Sequence, residues 1–72
     1  LEADKKLIEE IKSNGLLWCG GDETRFALWM CTPNRDFPLR EYGIPSPVEL
    51  IGEGHAQIVA NKIRNLLSGH PS

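Results

Sequence analysis

Ser46-Pro47-Val48-Glu49 constrains this chain more than any other four residues, because it specifies where and how a helix begins. A serine hydroxyl at an N-cap accepts a hydrogen bond from the backbone N–H three residues on. Pro47 suits the first helical position, where a missing N–H costs nothing. Glu49 can reach back to the N–H of the cap residue and complete a capping box. The signal is architectural. No catalytic, metal or cofactor motif of comparable strength stands anywhere in the 72 residues.

A chain of this length makes one domain, residues 1–72, with a flexible tail expected from about residue 69. Such a small domain buries only about 60% of its unfolded surface. A disulfide, a metal, a partner or a second copy would relieve that shortage of core. The apolar fraction is 40% and the charged fraction 25%, which is globular composition and not disorder. No apolar run approaches the roughly 18 residues of a membrane span. The acidic start, Leu1-Glu2-Ala3-Asp4, is unlike a signal peptide, so a cytoplasmic location is expected.

Formal net charge is −2, which disfavours nucleic acid, since phosphate neutralisation supplies most of such a binder's affinity. Acid is concentrated early, at Glu2, Asp4, Glu9, Glu10, Asp22 and Glu23. From Arg25 to Arg40 three arginines face Asp36 alone, so a local basic patch is compatible with the overall balance. Cys19 and Cys31 are the only cysteines, fewer than a secreted disulfide framework carries. They read as free, buried thiols, with a single bridge as the alternative.

Residues 2–13 read as a first helix, with Leu7, Ile8 and Ile11 on its apolar stripe and Asn14-Gly15 as its stop. Leu16-Leu17-Trp18-Cys19 and Arg25-Phe26-Ala27-Leu28-Trp29-Met30-Cys31-Thr32 flank a glycine-containing loop and read as an antiparallel hairpin. Strand alternation then places Phe26, Leu28 and Met30 toward the core and Arg25, Ala27, Trp29 and Cys31 on the open face. Residues 33–46 have no periodicity and are punctuated by Pro33, Pro38, Gly43 and Pro45. Phe37, Leu39, Tyr42 and Ile44 are expected to pin this segment, with a short edge strand open for residues 39–42. Ala56, Val59, Ala60, Ile63, Leu66 and Leu67 form a helical stripe that ends at Ser68-Gly69. Gly52-Glu53-Gly54 either interrupts one long helix or separates two. A strand over Val48–Ile51 is the third reading, and the capping box favours helix.

The possible site chemistries are thin. Cys19, Cys31, His55 and His70 stand much farther apart than the paired ligands of structural zinc sites. A Cys19–His55 nucleophile pair is allowed by spacing alone, but the chain is small for a substrate pocket. Gly52-Glu53-Gly54-His55 lacks the lysine of a phosphate loop, and Glu53 would repel an anion. The order helix, strands, helix resembles that of double-stranded-RNA-binding domains, with Gly52-Glu53-Gly54 before the last helix. His55-Ala56-Gln57 stands where such a domain would show a lysine cluster.

The composite expectation is a small α+β domain, with two helices packed on one face of a β-hairpin. It is a non-enzymatic protein-interaction or regulatory module, needing no cofactor and no metal, with no catalytic residues. Trp18, Arg25 and Trp29 are the expected anchors for a protein partner or a homodimer, because tryptophan and arginine dominate interface hot spots. Arg35, Phe37, Arg40 and Tyr42 form the expected rim. The alternatives are a weak nucleic-acid binder using the Arg25–Arg40 region, and a small thiol-dependent enzyme.

Overall fold

Two of the chain's glycines end helices, and a third lets two helices approach; together they explain a fold the hairpin reading missed. A computed structural model describes residues 2–38, 41 and 43–69. Among them lie four helices and no strand: α1 (Glu2–Trp18), α2 (Glu23–Cys31), α3 (Pro47–Gly52) and α4 (Ala56–Leu67). The α+β expectation is therefore corrected to an all-helical domain. The helix-strands-helix order that resembled double-stranded-RNA-binding domains goes with it.

Helix α1 runs through Asn14-Gly15 and ends at Trp18. The stop is a Schellman motif. The Gly21 N–H donates to the Leu16 carbonyl at 2.7 Å and the Gly20 N–H to the Leu17 carbonyl at 3.1 Å. This needs a left-handed residue after the last turn, and Gly20 supplies it at φ +69°. Leu16, Leu17 and Trp18, expected in a strand, are thus the last turn of α1.

Helix α2 begins at once. Asp22 is its N-cap, accepting a 3.0 Å bond from the Arg25 N–H. Glu23 follows in the first turn, where the helix dipole favours an acid. Arg25, Ala27, Leu28 and Met30 are all good helix formers, and the stretch holds no β-branched residue beyond Thr24. Only Phe26 and Trp29 argued for a strand. Helical spacing sends Phe26, Trp29 and Met30 toward the core at i, i+3 and i+4, whereas Leu28, expected inside, is 64% exposed. Thr32 ends the helix in extended conformation ahead of Pro33, as the residue before a proline prefers.

The capping box forms as expected. The Glu49 N–H donates to Ser46 Oγ at 3.3 Å, and the Ser46 N–H donates to Glu49 Oε1 at 3.2 Å. Helix α3 ends in a second Schellman motif, with the His55 N–H on the Leu50 carbonyl at 2.8 Å and the Gly54 N–H on the Ile51 carbonyl at 3.1 Å. Gly54, at φ +87°, is the required left-handed residue. Two helices meeting at a glycine turn is therefore the reading that holds, and the strand over Val48–Ile51 does not.

The core joins all four helices and the irregular segment. Ile11 of α1, Leu50 of α3, and Ala56, Val59, Ala60 and Ile63 of α4 are buried together with Phe37. Leu7, Phe26, Trp29, Met30 and Ile51 pack against them. Helix α4 makes its largest contact with α1, while α3 bridges α4 and α2. An Arg64–Glu10 pair clasps the α1–α4 interface from outside, with Nη2 to Oε1 at 2.6 Å. Phe37 is held by a turn in which its N–H donates to the Asn34 carbonyl, and the Asn34 N–H donates to the Pro45 carbonyl, both near 3 Å. Leu39, Arg40, Tyr42 and His70, and so the edge strand considered for residues 39–42, lie outside the described residues.

Candidate functional site

Trp18 is the last residue of α1, and Trp29 lies on the core-facing side of α2, after the tight turn at Cys19–Asp22. The turn folds α2 back on α1 and brings the two indoles together. Their ring centroids are 5.9 Å apart with an interplanar angle of 65°, an edge-to-face contact. Such a pair adds about 0.5–1.5 kcal/mol beyond area burial, because the positive ring edge meets the negative face. Trp29 is half-buried against the core, whereas Trp18 keeps 41% of its surface exposed. Beside them Leu17 is 68% exposed, and Leu28 projects from the outer side of α2.

Strand alternation placed Trp29 on an open face; the structure instead packs it against the core from α2. It meets Trp18 across the turn that joins α1 to α2. Arg25 is exposed one turn before Trp29 on the same helix. Arg35 is exposed in the turn after α2. Phe37 is 5% exposed and belongs to the core, so it offers no ring to a rim. Arg40 and Tyr42, the other expected rim residues, lie outside the described residues.

The sites weighed for chemistry gain no geometry. Both cysteines are free, Cys19 buried in the α1–α2 turn and Cys31 exposed at the end of α2. No hydrogen bond joins Cys19 to His55, which is exposed ahead of α4. Among the described residues, no three His, Cys, Asp or Glu side chains come together as a metal ion requires. No described helix is long and apolar enough to cross a membrane. Gly52-Glu53-Gly54 serves the α3 terminus described above.

One polar feature escaped the sequence reading. Lys62 is buried on α4, and its Nζ lies 2.7 Å from Asp36 Oδ2. The contact is an ion pair by distance, but no acceptor lies in a hydrogen-bonding direction from the sealed ammonium. Distance decides here, because Coulomb attraction survives a poor angle that a hydrogen bond does not. A shallow groove of about 220 Å³ runs past this pair, lined also by Phe37, Ile58, Asn61 and Asn65. The signal was present: Lys62 falls on the apolar stripe, three residues after Val59 and four before Leu66.

The Arg64 hydrogen bonds hold the Glu10 carboxyl below the usual carboxylate range, and the same contact raises Arg64. No protein-family model matches the chain, and no curated protein or solved structure is significantly similar to it.

Proposed function

We propose that this domain is a non-enzymatic interaction module that binds a partner protein through the surface around Trp18, beside the turn that joins α1 to α2. The observation that carries the reading is the exposed Trp18 ring fixed edge-on against Trp29. A large amphipathic ring that is already held loses little conformational freedom on binding, which is why such anchors dominate interfaces. Leu17 and Leu28 are exposed on the same two helices, and Arg25 is exposed one turn before Trp29. Trp18 is the anchor and Trp29 the support that orients it. A second copy of the chain is one protein that such a surface accepts.

The test is affinity capture from a lysate of source cells, with and without nuclease. A stoichiometric protein retained after nuclease, or self-association of the pure domain in sedimentation, supports the reading. Loss of every partner on nuclease treatment overturns it in favour of nucleic acid.

A further inference from the structure

We draw no further inference here: the strongest candidate, the shallow groove along α4 where Lys62 and Asp36 meet Asn61 and Asn65, carries none, because the buried Lys62 ammonium already has Asp36 as its counter-ion and nothing in the structure shows a ligand that would enter.

Discussion

The Phe26 ring lies on Gly15, in the space that a Cβ at residue 15 would need. An ideal Cβ there would stand 2.7 Å from Phe26 Cδ1 and 2.9 Å from Cζ, well inside contact distance. Gly15 is therefore a notch that lets α2 approach α1.

Gly15→Ala tests the notch with two opposed effects. Alanine gains roughly 0.8–1 kcal/mol of helix propensity over glycine. Overpacking a filled site costs about 1–3 kcal/mol. We expect the clash to win and the urea midpoint to fall. Adding Phe26→Leu should make the Gly15→Ala cost smaller than it is alone. A Gly15→Ala protein more stable than the parent would remove the notch.

Lys62 is buried while Asp36 is 47% exposed, so the two are expected to behave as a half-buried ion pair. Asp36→Asn leaves the ammonium without a counter-charge and should destabilise by about 1–3 kcal/mol, the cost of stranding a buried polar group. Lys62→Met removes the need for that charge and should be near neutral or stabilising. In the Lys62→Met background the cost of Asp36→Asn should largely vanish. Equal costs in both backgrounds would mean that Asp36 acts through other contacts.

Ser46→Ala removes one half of a reciprocal cap at a site only 2% exposed. A loss of about 0.5–2 kcal/mol is expected, as for other N-cap serines. Glu49→Gln keeps a side-chain oxygen for the Ser46 N–H and should cost less. Both values follow from chemical denaturation.

The Glu10–Arg64 clasp predicts a direction in pH. Glu10 titrates lower in the folded state than its ordinary value of 4.5. Its contribution is thus present above that value and is lost as pH falls through the lower folded value. The stability gap between the parent and Glu10→Gln should be open at neutral pH and close in acid. It should also narrow with added salt, since both side chains reach solvent. A gap that stays constant down to strong acid would show that the charge of Glu10 is not what matters.

What was legible in the sequence was whatever local chemistry decides alone. Ser46, Pro47 and Glu49 cap a helix through bonds within four residues, and the structure has them as read. The Ala56–Val59–Ala60–Ile63 stripe repeats long enough to specify a buried helical face. The α1–α2 region was misread because its decisive contacts are tertiary. Asn14-Gly15 has the composition of a helix stop, yet Gly15 is kept inside α1 by the Phe26 packed against it. Phe26 and Trp29 suggested a strand by type, whereas in the structure Asp22 caps a helix that holds them. Trp29 was placed on the open face by strand alternation, whereas helical spacing puts it with Phe26 and Met30 against the core. Lys62 was overlooked because a charge within an apolar stripe reads as a break in the pattern until its partner from a distant segment is seen.

Trp18→Ala measured side by side with the parent tests the account most directly. Far-UV circular dichroism should show the helical fold retained, because Trp18 is the exposed member of the pair. Affinity for the captured protein, or for a second copy, should fall by about 2 kcal/mol or more, roughly thirty-fold in dissociation constant. Binding unchanged by Trp18→Ala, with the fold intact, would contradict the proposal that this face is the interaction surface.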